Sequence, residues 1–165
     1  MNNDKLVVIF MGSSSDYPRT EDLRETLDEF SIPYEVRALS AHKLTQNVLD
    51  AVDEYENMPE KKVYIAIAGR SNALGPVVAG NTSSPVINCP VITSYTEDLF
   101  SSLRMPSATP CSTILEPRNA ALHAVKIFSM EDENLKTKFL EWKEELFNSL
   151  VEEDLQYLKK QDPSG

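Results

Sequence analysis

The side chains of this sequence that are equipped for chemistry fall in three short polar segments. Residues 12–16 hold three serines and an aspartate, residues 40–43 hold a histidine and a lysine, and residues 69–72 hold an arginine. Hydroxyls and N–H groups at the start of a helix favour anions, and a loop histidine is placed for proton transfer near neutral pH. The residue types therefore predict a site that holds an anionic small molecule and moves a proton.

Each segment also has a less specific interpretation. Residues 12–16 fit an ordinary strand-to-helix turn capped by Ser or Asp. His42 fits an exposed loop histidine, and Lys43 and Arg70 could pair with some of the 26 acidic residues. His123 is expected to be structural or to lie at a subunit contact. No Walker motif, GxGxxG, HExxH or nucleophile elbow is present, and the serines have no evident base partner, so a serine hydrolase is not predicted.

The elements that must position these segments alternate between strand and helix. Strands are predicted at residues 5–10, 34–39, 63–68, 86–89 and 112–115, and helices at 18–30, from 45, 73–80, 96–103, 117–128 and 131–160. The strands are apolar runs without alternation, as in strands buried on both faces. The pattern predicts an α/β fold, a three-layer doubly wound parallel sheet in the order 2-1-3-4-5. In that order the three polar segments converge at the carboxyl ends of adjacent strands.

Composition limits the class of protein. The 165 residues suit one domain, with 41% hydrophobic and 25% charged residues. The net charge of −10 argues against a general nucleic-acid-binding surface. The two cysteines form no disulfide framework, and neither has a metal-ligand neighbour at the usual spacing. The apolar run near the start is too short for a signal peptide or membrane span, so we expect a cytoplasmic protein without membrane or nucleic-acid partners.

Four ordered motifs resemble the phosphoribosylaminoimidazole carboxylase family. They are MGSSSD at residues 11–16, SAHK at 40–43, AGRSNALG at 68–75 and SSLRMPS at 101–107. The resemblance covers roughly residues 6–128 and implies a flavodoxin-like strand order. It also implies a reaction that needs no cofactor and no metal, because the electron-rich ring of aminoimidazole ribonucleotide can attack carbon dioxide directly.

The resemblance also implies roles for individual residues. Ser13, the backbone of residues 12–15 and Lys43 would hold the 5′-phosphate, and Asp16 would bind the ribose hydroxyls. His42 would be the catalytic base that accepts the proton from the carboxylated carbon. Gly69, Arg70 and Ser71 would place carbon dioxide and then the new carboxylate. The implied substrate-binding set is Gly12, Ser13, Ser14, Ser15, Asp16, Ser40, Ala41, Lys43, Gly69, Arg70, Ser71, Asn72, Met105, Pro106 and Ser107.

Two classes exist in this family. Class I is a mutase that moves a carboxylate from the exocyclic nitrogen to the ring carbon. Its loop after strand three is of the Gly-Gly-Ala-Ala-His type, and arginine follows its SAH histidine. This sequence has Arg70-Ser71-Asn72 and Lys43 at those places, as in class II, which adds carbon dioxide to aminoimidazole ribonucleotide in de novo purine (IMP) biosynthesis. The alternatives are the class I mutase reaction and a non-catalytic flavodoxin-like nucleotide-binding module.

Class II includes the carboxylase domain of the animal bifunctional enzyme, where it is fused to a synthetase. The 165 residues leave no room for a synthetase, so we expect one domain over residues 1–165, with a core at about 5–129 and a helical extension at about 131–160. That extension carries an apolar stripe longer than one domain needs: Leu135, Phe139, Trp142, Leu146, Leu150 and Leu158. The resemblance implies a homo-octamer in which this helix packs on a neighbouring subunit; the alternative is a helix packed on its own sheet.

One position departs from the class II pattern. Glycine is expected after Arg104-Met105-Pro106-Ser107, and this sequence has Ala108 followed by Thr109 and Pro110. In the family this loop closes near the site. Alanine restricts the backbone more than glycine does, so we expect a stiffer loop here.

Overall fold

The computed structural model describes residues 4–91 and 99–161. Contacts divide the chain into two compact units, residues 1–125 and 126–165. The first unit is built on five parallel strands: β1 (Lys5–Met11), β2 (Tyr34–Ala38), β3 (Lys61–Ala68), β4 (Val86–Pro90) and β5 (Ser112–Thr113). Their order in the sheet is β2-β1-β3-β4-β5, as the sequence predicts.

Helices connect the strands. They are a 3-10 helix (Ser14–Thr20), α1 (Glu21–Glu29), α2 (Thr45–Glu56), α3 (Leu74–Ala79) and α4 (Leu99–Ser102), whereas α5 (Pro117–Phe128) and α6 (Glu133–Gln161) follow β5 in the chain. Parallel strands need crossover connections of this kind, which cover both faces of the sheet. The left-handed residue Ser31, with φ 57°, follows helix α1 and turns the chain away from it, and the N–H of Ile32 donates to the carbonyl of Leu27 (2.9 Å).

The core lies on both faces of the central strands. Val7, Ile9 and Ile65 are fully buried on one face, while Phe10 and Tyr64 are fully buried on the other. The rings of Phe10 and Tyr64 stack with their centroids 5.9 Å apart. Because β1 and β3 are covered on both sides, their positions are fixed by packing, which holds the loops at their ends in place.

The strand register brings the polar segments together. Met11 at the end of β1 pairs with Ala38 of β2 and with Ile67 of β3. The loops that leave these three strands therefore start side by side at one edge of the sheet. Backbone hydrogen bonds extend this alignment beyond the strands, since the N–H of Leu39 donates to Met11 and the N–H of Gly12 donates to Ile67 (2.9 and 3.0 Å).

The structure differs from the predicted elements mainly at their ends. The first helix is predicted from residue 18, but a 3-10 helix already begins at Ser14 and α1 begins at Glu21. Serines near a helix start form local hydrogen bonds that favour such a tight turn. Strand β5 has two residues rather than the four predicted. Of the helix predicted at 96–103, only residues 99–102 are seen as helix, and residues 96–98 lie outside the described part of the chain.

The second unit contains the 29-residue helix α6. Eight of its large apolar side chains are exposed: Leu140, Leu146, Phe147, Leu150, Val151, Leu155, Tyr157 and Leu158. Leu135 near its start is buried, at 8% exposure. Within residues 4–91 and 99–161, no helix has the combined length and apolar character required to cross a membrane.

Candidate active site

A cavity of about 790 Å³ opens at the edge of the sheet where the three polar segments meet. Its lining comes from all three segments and from the residues just beyond them: Gly12, Ser13, Ser15, Asp16, Arg19, Ser40, Ala41, His42, Lys43, Ala68, Gly69, Arg70, Ser71 and Leu74. The three polar segments therefore meet at the ends of β1, β2 and β3, as the strand order predicts. A histidine, a lysine, two arginines and a carboxylate share one cavity.

Residues 12–16 form the first wall. Ser13 has an extended backbone and precedes the 3-10 helix, and its Oγ accepts hydrogen bonds from the Ser15 N–H (3.3 Å) and the Ser15 hydroxyl (3.0 Å). Such capping by serine is the ordinary way to start a helix. Both serines line the cavity, so the residues of the cap are also placed to meet a bound anion.

Residues 40–43 form the second wall. The carbonyl of Ser40 accepts from the N–H groups of Lys43 (3.2 Å) and Leu44 (2.8 Å), which folds the segment into a turn before α2. Ala41 is buried in the hydrophobic core, and its carbonyl accepts from the Thr45 hydroxyl (2.5 Å). The turn is thus anchored by Ala41, while His42 and Lys43 are exposed and line the cavity.

Residues 69–71 form the third wall. Leu74 is 2% exposed in the core and fixes the start of α3, so the preceding loop is held close to the sheet. Gly69 lies against the first wall, because a Cβ at this residue would sit 3.1 Å from Asp16 Oδ1 and 3.1 Å from Arg19 Nη1. Arg70 and Ser71 are exposed at the mouth of the cavity.

Asp16 is the buried charge of the site. Its side chain is 7% exposed, and its Oδ1 accepts a hydrogen bond from Arg19 Nη1 at 2.9 Å. An unpaired carboxylate at this depth would be costly, and the Arg19 guanidinium supplies the opposite charge. The pair leaves a carboxylate with a fixed orientation on the cavity wall.

Several predicted site residues are not brought into this cavity. Ser14 and Asn72 are not part of its lining, although the residues on either side of Ser14 are. Met105 and Pro106 line a separate cavity of about 630 Å³ with Thr109 and Cys111, and Ser107 lines neither. Within one chain, therefore, the Met105–Pro106 segment does not reach the cavity that holds His42.

Three lining residues were missed from the sequence: Arg19, Ala68 and Leu74. Arg19 had a usable signal, because Asp16 and Arg19 are three residues apart just before a helix. A 3-10 helix has three residues per turn, which places such a pair one above the other. The residue types of Leu74 and Ala68 do not indicate a site. These residues line the cavity only because the backbone brings them there.

The remaining histidine and the cysteines lie outside the site. His123 of α5 is within hydrogen-bond distance of the Ser112 hydroxyl on β5 (Nε2 to Oγ, 3.4 Å), which fits the predicted structural role. Cys89 and Cys111 are both free thiols. Burial raises the pKa of the Cys89 thiol to about 12, so it stays protonated at neutral pH.

A doubly wound parallel sheet whose polar loops share one cavity at the strand ends defines an α/β protein that binds a small molecule. Comparison with known proteins narrows this class. The family model described as AIR carboxylase matches residues 6–149. The chain therefore belongs to the AIR carboxylase family.

Individual relatives agree with this assignment. The phosphoribosylaminoimidazole carboxylase of Treponema denticola is 41% identical over 151 residues, covering 90% of this chain and 95% of the relative. That of Archaeoglobus fulgidus is 42% identical over 142 residues, covering 83% of this chain and 76% of the relative. The crystal structure of Treponema denticola PurE has a TM-score of 0.89 at 40% identity, covering 92% of this chain and 98% of that one.

Longer relatives match as well. The bifunctional phosphoribosylaminoimidazole carboxylase/phosphoribosylaminoimidazole succinocarboxamide synthetase of Rattus norvegicus is 45% identical over 133 residues. The match covers 79% of this chain but only 31% of that protein. The chain thus spans about a third of the length of the bifunctional relatives that it matches.

Proposed function

We propose that this chain catalyses the reversible carboxylation of 5-aminoimidazole ribonucleotide with carbon dioxide, which yields carboxyaminoimidazole ribonucleotide for purine biosynthesis. The observation that carries the proposal is the shared cavity, in which His42, Lys43, Arg70 and Asp16 surround about 790 Å³ of space. Membership of the AIR carboxylase family supports the same reaction.

The ribose phosphate belongs at the first two walls. The hydroxyls of Ser13 and Ser15 and the backbone of residues 12–15, with the N–H groups of Ser13 and Ser14 as donors, hold the 5′-phosphate, and Lys43 adds a positive charge from the neighbouring turn. The N–H groups of Gly12 and Ser15 already donate to Ile67 and Ser13. The Asp16 carboxylate accepts hydrogen bonds from ribose hydroxyls. Ser40 and Ala41 contribute the backbone that connects these groups, and Gly12 allows the substrate to approach the sheet edge closely.

The chemistry belongs at the second and third walls, beside the groups that hold the ribose phosphate. The ring carbon of the aminoimidazole attacks carbon dioxide, which forms the new carbon–carbon bond and leaves an extra proton on that carbon. His42 accepts this proton, which restores the aromatic ring, and passes it to solvent. Gly69, Arg70 and Ser71 hold carbon dioxide beside the ring and then bind the carboxylate that forms, so the two reactants meet in a fixed geometry.

The remaining predicted residues keep their proposed roles at the edge of this site. Ser14, Asn72, Met105, Pro106 and Ser107 would act on the substrate when the cavity closes or when a second subunit is present. A cytoplasmic location accompanies the proposal, and the two free cysteines are in keeping with a reducing compartment.

The assembly proposed for the protein is a homo-octamer in which α6 packs on a neighbouring subunit. The support is the row of exposed apolar side chains on α6, among them Phe147, Leu150 and Leu158. Leu158→Glu should lower the mass measured by light scattering, while Gln156→Glu, about half a turn away on the same helix, should not. An unchanged octamer for Leu158→Glu, or a monomeric wild type, would contradict the proposal.

The reaction is tested by supplying each candidate substrate separately. Wild-type protein should consume aminoimidazole ribonucleotide in the presence of bicarbonate and should leave the nitrogen-carboxylated isomer unchanged. Turnover of the isomer alone would establish the mutase reaction instead. A yellow preparation that releases flavin would point to a flavodoxin-like binding protein; we expect a colourless one.

A further inference from the structure

Arg19 joins two cavities at the carboxyl edge of the sheet. It lines the site cavity, and among the described residues it alone also lines a cavity of about 490 Å³ bordered by Ile67, Cys89 and the start of α5. Three carboxylates border this second cavity as well, those of Glu21, Asp22 and Glu116. The Arg19 guanidinium nevertheless bonds Asp16, on the side of the site.

The 3-10 helix explains why Arg19 reaches Asp16. With three residues per turn, side chains at positions i and i+3 lie one above the other. Arg19 therefore projects over Asp16, and its Nη1 lies 2.9 Å from Oδ1. Had the helix been an α-helix from its start, the two side chains would be offset around the axis. The segment that was predicted as an ordinary helix start thus aligns this pair.

Gly69 leaves room for the pair. A Cβ at residue 69 would lie 3.1 Å from both Arg19 Nη1 and Asp16 Oδ1, closer than most Cβ contacts in proteins. Any other side chain at this position would push on the atoms that form the hydrogen bond. The third wall of the cavity therefore packs directly on the ion pair, and the pair cannot move without disturbing the loop that carries Arg70.

The two oxygens of Asp16 have different surroundings. Oδ1 is occupied by Arg19, whereas Oδ2 lies toward Gly12, 3.9 Å from where a Cβ of that glycine would be. Within residues 4–91 and 99–161, no protein donor bonds to Oδ2. One oxygen is thus held by the protein, and the other faces the wall that we assign to ribose phosphate.

We infer that Arg19 is a positioning residue for the ribose. It neutralises the buried Asp16 carboxylate, holds Oδ1, and so aims Oδ2 at a ribose hydroxyl, with Gly69 keeping the space that this requires. The inference rests on the proposed function, because it assigns the ligand of Asp16. The contact uses one N–H of the guanidinium, so a lysine ammonium can replace it, unlike at a bidentate site.

The test compares three arginine variants for affinity and turnover. Arg19→Met should raise KM for aminoimidazole ribonucleotide about tenfold, the effect of losing one charge-assisted hydrogen bond, and change kcat by less than about twofold. Arg19→Lys should stay within about threefold of wild type in KM. The control is Arg24→Met, since Arg24 stacks on Tyr17 and bonds Thr20 on the same segment and should leave KM unchanged.

A double-mutant cycle separates positioning from general loss of structure. Because Arg19 acts through Asp16, adding Arg19→Met to Asp16→Asn should raise KM no further. Additive effects, a wild-type KM for Arg19→Met, or a KM for Arg19→Lys as high as for Arg19→Met would each overturn the inference. A thermal melt of each variant accompanies the kinetics.

Calorimetric titration of aminoimidazole ribonucleotide without bicarbonate keeps this test independent of turnover. If wild type binds the ribonucleotide but does not carboxylate it, the proposed reaction is wrong, and the dissociation constants of the Arg19 variants still decide the role of Arg19. If wild type does not bind the ribonucleotide, both the reaction and the positioning role are wrong.

Discussion

The turn before helix α2 and the end of that helix carry polar side chains in opposite situations. In the turn before the helix, His42 and Lys43 are exposed on the cavity wall, and in the described part of the chain neither side chain has a partner. At its end, Glu56 accepts hydrogen bonds from the hydroxyls of Tyr64 (2.8 Å) and Ser84 (3.0 Å). One end presents its polar groups to the cavity, and the other satisfies them with internal hydrogen bonds.

The Glu56 cluster, which consists of Glu56, Tyr64, Thr82 and Ser84, has pKa values that reflect its internal hydrogen bonds. Burial raises the pKa of Tyr64, and its hydrogen bond to Glu56 raises this pKa further, so the phenol stays protonated. Burial works against the Glu56 carboxylate, but hydrogen bonds from Tyr64, Thr82 and Ser84 hold the pKa of Glu56 below its ordinary value. The comparison teaches that polar side chains stabilise the fold where each donor has an acceptor within the protein. Where the protein supplies no partner, such side chains are available to a ligand.

The largest effect should come from His42. His42→Asn removes the proposed base and should lower kcat by roughly 10²- to 10⁴-fold, while leaving the melting temperature unchanged because the side chain is exposed. His123→Asn is the matched control, since it alters the histidine that contacts Ser112 instead. It should cost stability and keep turnover. Steady-state kinetics and a thermal melt of both variants measure these effects. A wild-type kcat in His42→Asn would contradict the assignment of His42 as the base.

Lys43 should affect binding rather than chemistry. Lys43→Ala removes the charge assigned to the 5′-phosphate and should raise KM about tenfold or more with little change in kcat. Lys43→Arg keeps the charge and should retain most of the affinity. Kinetics at two salt concentrations provide the measurement. An Ala variant with unchanged KM would remove Lys43 from the phosphate site.

Glu56 should show the reverse behaviour. Glu56→Ala leaves the fully buried Tyr64 hydroxyl without its acceptor and should cost about 1–3 kcal/mol in the free energy of unfolding, with KM unchanged. The control is Glu54→Ala, which breaks only the exposed pair with Arg37 and should cost less than about 1 kcal/mol. Urea denaturation measures both. Equal losses, or a changed KM in Glu56→Ala, would contradict the division of roles.

The same urea denaturation at acidic pH should show how much the ionised Glu56 carboxylate contributes to the free energy of unfolding. The pKa of Glu56 is lowered on folding, so the carboxylate stabilises the protein above the ordinary carboxyl pKa of 4.5. This contribution is lost as the pH falls from that value through the pKa of the folded state. The stability gap between wild type and Glu56→Ala should therefore narrow below about pH 4.5. A gap that widens on acidification would contradict the sign.

The smallest effect concerns the loop that departs from the family pattern. Ala108 has φ 64°, the left-handed conformation that glycine adopts without cost, in a turn where the N–H of Thr109 donates to Pro106 (3.3 Å). Ala108→Gly should therefore stabilise the protein by about 0.5–1 kcal/mol in a thermal melt. Ser107→Gly, where φ is not positive, should not. A destabilised Ala108→Gly would show that the loop is not strained.

The sheet was predictable because its signals are local. Apolar runs such as residues 6–10 and 63–68 have no polar face, which requires burial on both sides, and helices between them require parallel pairing. The strand order then places residues 12–16, 40–43 and 69–71 together, and residues from each of these segments line the cavity. Strand β5 was predicted too long because the apolar residues Ile114 and Leu115 follow its two paired residues but lie outside the strand.

The details of the site were less predictable because they depend on backbone geometry. Nothing in the residue types indicates that Ser14 is absent from the cavity lining while Ser13 and Ser15 are part of it, because this depends on the path of the 3-10 helix. The Arg19–Asp16 pair depends on the 3-10 geometry of residues 14–20, and the close packing of Gly69 on this pair depends on the approach of the third wall to the first. The preference for glycine at residue 108 was foreseen from the family pattern, whereas the left-handed backbone that explains it is visible only in the structure.

The most direct test of the account follows isotopically labelled bicarbonate into the ribonucleotide. Wild-type protein mixed with aminoimidazole ribonucleotide and labelled bicarbonate should give a product whose labelled carboxylate is bonded to the ring carbon, as carbon NMR would show. His42→Asn should bind the ribonucleotide and form this product far more slowly. Absence of labelled product with wild type, or equal rates for wild type and His42→Asn, would contradict the account.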